Sequence, residues 1–116
     1  MNKQVELLSP VGSWETLVAA VSNGADAVYL GAKLFNARRL AGNFNPTELK
    51  TAVQYAHLHN VKVYLTLNTL IKNSEIKAFL DQISVADSLG IDAVILQDLS
   101  FAKIIKENFP NLKVHA

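Results

Sequence analysis

Two heptapeptides in this chain follow one pattern, Gly-x-Asp-Ala-Val-x-Leu. They are Gly24-Ala25-Asp26-Ala27-Val28-Tyr29-Leu30 and Gly90-Ile91-Asp92-Ala93-Val94-Ile95-Leu96. Each reads as the same joint. A glycine takes the left-handed position that ends a helix, an aspartate turns the chain, and a short buried strand begins. A joint of this kind, used twice, restricts the chain to folds in which helices and strands alternate. The strands read as continuous apolar runs, as expected where helices cover a parallel sheet. Successive parallel strands then require right-handed crossovers through the helices.

The rest of the chain fits that alternation. Strands are expected at Val5-Glu6-Leu7-Leu8, Ala27-Val28-Tyr29-Leu30, Lys62 to Leu67, Ala93-Val94-Ile95-Leu96 and Leu112-Lys113-Val114-His115. Ser13 is placed to cap a first helix whose apolar residues Trp14, Leu17, Val18 and Val21 recur at helical spacing. Asn45, Pro46 and Glu48 form the N-cap, first-turn proline and capping-box acid of a second helix. Its apolar face is Leu49, Ala52, Val53 and Ala56. Asn73 or Ser74 opens a third helix carrying Ile76, Phe79, Leu80 and Ile83, and Asp98 a fourth carrying Phe101, Ile104 and Ile105, ended by Pro110.

Two architectures accommodate this order: an open doubly wound sheet, or half of a barrel. The loop after the first strand is Ser9-Pro10-Val11-Gly12, which lacks the Gly-x-Gly-x-x-Gly of a dinucleotide cradle. The expected fold is therefore α/β, the N-terminal half of a (β/α)₈ TIM-type barrel, with residues 1–116 as one half-barrel unit and neighbouring strands in sequential order. A whole barrel of this type takes about 200 residues or more, and the chain has 116.

Composition narrows the function. Hydrophobic residues make up 50% of the chain, ample for a packed core, and the formal net charge of +1 creates no field that would by itself draw it to nucleic acid or membrane. There is no cysteine, so the chain supplies no thiolate to zinc or to an iron–sulfur cluster. No run approaches the ~20 apolar residues of a membrane span, and the first residues do not read as a signal peptide. The expectation is a cytoplasmic protein without a membrane partner.

In both architectures ligands bind at the carboxyl ends of the strands. That rule selects Ser9 after the first strand, Asn36, Arg38 and Arg39 after the second, Asn68 after the third, Gln97 and Asp98 after the fourth, and His115 in the fifth. Each has a second, plainer use. Asp98 is more commonly a helix N-cap than an acid at a rim, and Asn68 more commonly a loop former. Arg38 and Arg39 serve equally as a solvated pair or as a fork for carboxylate or phosphate. His115 divides evenly between facing a ligand and packing. Glu6 lies inside the expected first strand, where an acid either faces a polar barrel lumen or joins a salt bridge. His57 and His59 fall on or beside the second helix, away from the rim, and read as structural. Spacing alone assembles no nucleophile–base–orienter set, and Ser9 lacks the Gly-x-Ser-x-Gly setting of a nucleophile elbow.

Several segments are similar to the opening of family 32 of the unknown-mechanism (U) peptidases, the collagenase-like proteases. They are Glu6 to Glu15 (ELLSPVGSWE), Asn23 to Gly31 (NGADAVYLG), Phe35-Asn36-Ala37-Arg38-Arg39 with Asn43-Phe44, Val63 to Thr69 (VYLTLNT) and Asp92 to Asp98 (DAVILQD). The resemblance runs in order along essentially the whole chain, and Phe-Asn-Ala-Arg is its most specific piece. It implies a longer parent with a barrel-like catalytic domain. The first reading it implies is a peptidase. The alternative is a hydroxylation enzyme acting on transfer RNA, ribosomal RNA or ubiquinone. In those relatives an iron–sulfur cluster sits on cysteines later in the chain than any segment matched here. Either way this chain is expected to be inactive alone. Its expected partners are the remainder of the parent chain, a peptide or RNA substrate for the parent, and further copies of itself through strand edges and an apolar inner face drawn from the runs Val5 to Leu8, Val28 to Leu30, Val63 to Leu67 and Val94 to Leu96. A structural half-domain without activity is the third reading.

Overall fold

The computed structural model describes residues 6–31, 44–67, 76–96 and 101–115. Among them, five strands and four helices alternate: β1 (Leu8–Pro10), α1 (Trp14–Ser22), β2 (Ala27–Gly31), α2 (Pro46–Leu58), β3 (Lys62–Leu67), α3 (Ile76–Ser88), β4 (Ala93–Leu96), α4 (Ala102–Asn108) and β5 (Lys113–His115). All neighbouring pairs are parallel and the order is β1-β2-β3-β4-β5. This is the sequential order of a half barrel-like α/β unit rather than the 2-1-3-4-5 order of a doubly wound sheet.

The first strand lies later than its apolar run suggests, at Leu8–Pro10 rather than Val5 to Leu8. Register explains the shift: Leu8 pairs with Ala27 and Pro10 with Tyr29. Leu7, just before the strand, accepts the N–H groups of Asp26 and Ala27 at 2.9 and 3.2 Å. Proline is tolerated because β1 has no described neighbour on its other side.

The helix starts follow the capping logic. The Ser13 hydroxyl accepts from Thr16 N–H at 3.2 Å, and Thr16 Oγ1 accepts from Ser13 N–H at 3.1 Å. Asn45 Oδ1 accepts from Glu48 N–H at 2.8 Å, while Glu48 returns a carboxylate to Asn45 N–H at 3.1 Å. The expected caps Asn73, Ser74 and Asp98 lie outside the described residues, and Phe101 at the start of α4 makes no side-chain cap bond.

The helix ends are three copies of one motif. After α1, Gly24 N–H donates to Val21 O and Ala25 N–H to Ala20 O, both at 3.1 Å. After α2, Asn60 and Val61 donate in the same way to His57 and Ala56, at 3.0 and 2.8 Å. After α3, Gly90 and Ile91 donate to Asp87 and Ala86, at 3.1 and 3.3 Å. These are Schellman caps, and each pairs a buried alanine with a buried apolar residue just past the turn. The pivot must be left-handed: Gly24 has φ +84°, Gly90 φ +94°, and Asn60 takes φ 60° where the other two joints have glycine.

Two aspartates complete the joints. Asp26 Oδ2 accepts Leu7 N–H at 2.7 Å, and Asp26 N–H donates to Leu7 O at 2.9 Å. Asp92 repeats this with Val63: Oδ2 accepts at 2.7 Å and the Asp92 N–H donates at 2.9 Å. An amide at the amino end of one strand, Leu7 just ahead of β1 and Val63 in β3, is thus closed by the residue just before the next strand.

The two faces of the sheet differ. Val28, Leu30, Val63, Leu65, Val94 and Leu96 pack with Leu17, Leu49, Val53, Phe79, Ile83 and Ile105 in one buried core, so all four helices cover one face. Ala27, Tyr64 and Ala93, with Tyr29 and Ile95, form a second cluster, the helix-free face, which contains no helix residue among the described residues. Register adds Leu8, Lys62, Thr66, Lys113 and His115 to this helix-free face. The apolar inner face expected from the runs Val5 to Leu8, Val28 to Leu30, Val63 to Leu67 and Val94 to Leu96 is therefore corrected in part: Val28, Leu30, Val63, Leu65, Val94 and Leu96 point to the helices, because side chains alternate with period two, and the opposite face mixes Leu8 and Ile95 with alanines, tyrosines and polar groups. Similarly, Trp14 does not join the core stripe of α1. It is 44% exposed and leans on Tyr55, with ring centroids 5.0 Å apart.

Two substitutions test the joints. Asp92→Ala leaves Val63 N–H without its acceptor in a strand residue that is 2% exposed, and is expected to cost about 2–3 kcal/mol in urea unfolding, with Asp92→Asn milder. Asn60→Gly is expected to be neutral or better, whereas Asn60→Ala costs about 1 kcal/mol because alanine is strained at positive φ.

Candidate functional site

The helix-free face carries the polar side chains. Glu6, just ahead of β1, accepts the Tyr64 hydroxyl at 2.9 Å through Oε1, and its Oε2 lies 3.9 Å from Lys62 Nζ. Tyr64 is buried in the centre of the face, and its ring meets that of His115 with centroids 5.8 Å apart. One tyrosine thus touches groups ahead of β1 and on β5 from its place on β3. Of the two uses foreseen for Glu6 the salt bridge is the one seen, with Lys62, and the carboxylate lies on the same side of the sheet as Tyr64.

A cavity of about 170 Å³ opens on this face, lined by Lys62, Tyr64, Asp92, Lys113 and His115. Ala93 makes room for it. It stands between Tyr64 on one side and Lys113 on the other, and its methyl group fills little of the space above β4. Asp92 also holds His57, whose Nε2 is 2.7 Å from Oδ2. His59 stacks on Tyr55 with centroids 4.7 Å apart. Both histidines thus have structural contacts at the carboxyl end of α2, away from the strands' carboxyl ends.

Of the residues selected from the sequence, Glu6, Ser9 and His115 are described. Glu6 precedes β1 and stands at the amino end of the sheet. Ser9 lies within β1, half-buried and level with Val28, on the side packed by helices. His115 closes β5 beside Ile95 and reaches the cavity. Asn36, Arg38, Arg39, Asn68, Gln97 and Asp98 lie outside the described residues. Sequence reasoning passed over Tyr64, Lys62, Lys113 and Asp92 as site groups. The signal was present in β3, where Lys62, Tyr64 and Thr66 alternate with Val63 and Leu65, but the strand was read as one apolar run.

The electrostatics of the cluster suit architecture more than proton transfer. Burial first, and then the Glu6 carboxylate that accepts its hydrogen bond, push the Tyr64 phenol from its ordinary 10.0 up to about 12, with Asp92 adding to the effect. The phenol therefore stays protonated and acts as a donor. Among the described residues no group of three His, Cys, Asp or Glu side chains is placed to hold a metal ion. With no cysteine in the sequence, the chain does not fit an iron–sulfur cluster on thiolates; ligands for one would have to come from a longer protein.

The Tyr64 environment predicts a pH dependence. An unfolded chain loses this proton near pH 10 and the folded chain near 12, so folding stability contributed by the phenol is complete below pH 10 and falls as pH rises from 10 to 12. Ultraviolet titration of tyrosinate in the folded chain is expected to show one late-titrating phenol. Glu6→Gln should move it back part of the way toward 10, because burial remains.

The model of Peptidase family U32 matches residues 12–116. An uncharacterized protease of Methanocaldococcus jannaschii is 41% identical over 116 residues, covering 100% of this chain and 28% of the relative. A tRNA hydroxylation protein P of Haemophilus influenzae is 36% identical over 110 residues, covering 95% of this chain and 24% of the relative. The chain thus spans about a quarter of the length of these curated relatives. Among solved structures, the U32 peptidase Mk0906 superposes with a TM-score of 0.66 at 14% identity, over 98% of this chain and 50% of that one, which shows a shared fold. With the family model running from the loop after β1 to the end of the chain, and relatives of over 30% identity along its length, this chain belongs to Peptidase family U32.

Proposed function

We propose that this chain is the first, barrel-forming part of a longer U32-family enzyme that hydroxylates RNA, and that it is inactive by itself. The observation that carries this reading over peptide hydrolysis is the position of Ser9. The one serine that strand-end spacing singles out sits half-buried on the helix-packed side of β1, level with Val28, so it is not offered to a substrate on the helix-free face. The similarity to a protein named for tRNA hydroxylation, along 95% of this chain, supports the same reading.

In this proposal the chain contributes scaffold and rim. The Glu6–Tyr64 contact and the Asp26 and Asp92 joints lie toward the amino edge, which in barrel enzymes serves stability. The working groups would be at the opposite edge, where Asn36, Arg38, Arg39, Asn68, Gln97 and Asp98 follow their strands in sequence. Arg38 and Arg39 would hold phosphate of the RNA, since guanidinium forks match its oxygens. The remainder of the barrel, and cysteines for any iron–sulfur cluster, would come from the rest of the parent chain.

Peptide hydrolysis is the second reading, favoured by the 41% identity to a protein named as a protease. Deleting the gene that encodes the protein and analysing transfer and ribosomal RNA nucleosides by mass spectrometry separates the two. The expected result is loss of a hydroxylated nucleoside, restored by the wild-type gene and lowered about tenfold by Arg38→Ala, the equivalent of one charge-assisted contact. Unchanged nucleosides, together with gelatin cleavage by the purified full-length protein, would overturn the proposal.

A further inference from the structure

Three side chains that can donate hydrogen bonds and have no role in the joints line the 170 Å³ cavity: Lys62, Lys113 and His115. Both lysines stand on the helix-free face, on strands β3 and β5, with Ala93 of β4 between Tyr64 and Lys113. The acids around them have other donors. Asp92 Oδ2 accepts Val63 N–H and lies 2.7 Å from His57 Nε2. Glu6 Oε1 accepts the Tyr64 hydroxyl, leaving its second oxygen 3.9 Å from Lys62. Among the described residues neither Lys113 nor His115 has a carboxylate at ion-pair distance.

Cationic side chains gathered around one cavity repel each other unless an anion lies between them. The lysines keep their charge at neutral pH. Asp92 is the one carboxylate among the lining residues, and its Oδ2 is already engaged by Val63 N–H and lies 2.7 Å from His57 Nε2; beside it on β4 stands the small Ala93, between Tyr64 and Lys113. Lysine ammonium groups and an imidazole N–H are donors of the kind that oxyanions accept. We propose that this cavity is a binding site for a small oxyanion, a phosphate or carboxylate group, held by Lys62 and Lys113 with His115 at its side. The site is separate from the rim residues assigned above to RNA and does not depend on that assignment.

The test is a titration of the protein with inorganic phosphate and, separately, with acetate, at constant ionic strength, followed by the NMR shifts of the His115 ring and the β3 and β5 amides. Saturable shifts confined to these groups are expected. Lys62→Ala and Lys113→Ala should each weaken binding about tenfold, and the double variant should abolish it. Lys50→Ala, on the exposed side of α2, should change nothing. Circular dichroism and the Tyr64 titration check that each variant is folded. Tighter binding of phosphate than acetate would identify a phosphoryl ligand, and the reverse order a carboxylate; either order upholds the site. Linear, non-saturating shifts, or equal binding by the double lysine variant, would overturn it.

Discussion

The sheet depends on a pair of hydrogen bonds made at its amino edge by one kind of residue. In a parallel sheet each new strand must start beside the previous one with its stagger already set, and an amide at the amino end of the older strand faces the place just ahead of the new one. Asp92 fills that place from both directions, giving its N–H to Val63 O and taking Val63 N–H on its carboxylate. Asp26 does the same for Leu7. From these contacts the ladder runs on as Tyr64 beside Ala93 and Leu8 beside Ala27. A slip of one residue would turn Val94 and Leu96 from the helices to the open face and reverse the alternation on which the core rests.

The joint before each aspartate matters as much. A helix ends in a left-handed residue, and the following apolar residue folds back on an alanine in the last turn. This happens at Gly24, at Asn60 and at Gly90. At Gly90 the positive φ is the constraint, since a β-carbon there would meet Val53 Cγ1 only at contact distance, 3.4 Å. The middle joint differs in chemistry: it leads into Lys62, whose N–H donates to Asp26 O at 3.1 Å, rather than into an aspartate. That exchange places a lysine on the helix-free face beside Glu6 and contributes to the polar character of the face.

A sheet with helices on one side and Tyr64, Lys62, Lys113 and His115 on the other is a half-built interior. Its open side combines a buried hydrogen-bonded tyrosine with cations, a combination suited to a polar lumen more than to a continuous hydrophobic interface. Membership of Peptidase family U32 and the fold shared with the U32 peptidase Mk0906 agree with that geometry. The names carried by the relatives, one a protease and one a tRNA hydroxylation protein, divide over chemistry while sharing this scaffold. The division is physically reasonable, since the same strand-and-joint arrangement can present different rim groups.

Local signals determined most of the fold. The repeated Gly-x-Asp-Ala-Val-x-Leu, the capping boxes at Ser13 and Asn45, and the apolar spacing of α2 are short-range features, and short-range geometry realises them directly. The family resemblance, too, was legible in segments such as NGADAVYLG. Tertiary structure decided what depends on partners distant in sequence. It moved β1 forward to Leu8–Pro10, because pairing with Ala27 and Tyr29, rather than the apolar run, defines a strand. It turned Trp14 outward onto Tyr55. It set Ser9 toward the helices and brought Glu6, Tyr64, Lys62 and His115 onto one face, although Glu6 and Tyr64 are 58 residues apart in the chain. Period-two alternation in a strand states that its residues take opposite sides; only docking of the helices determines which side becomes the core and which is left open.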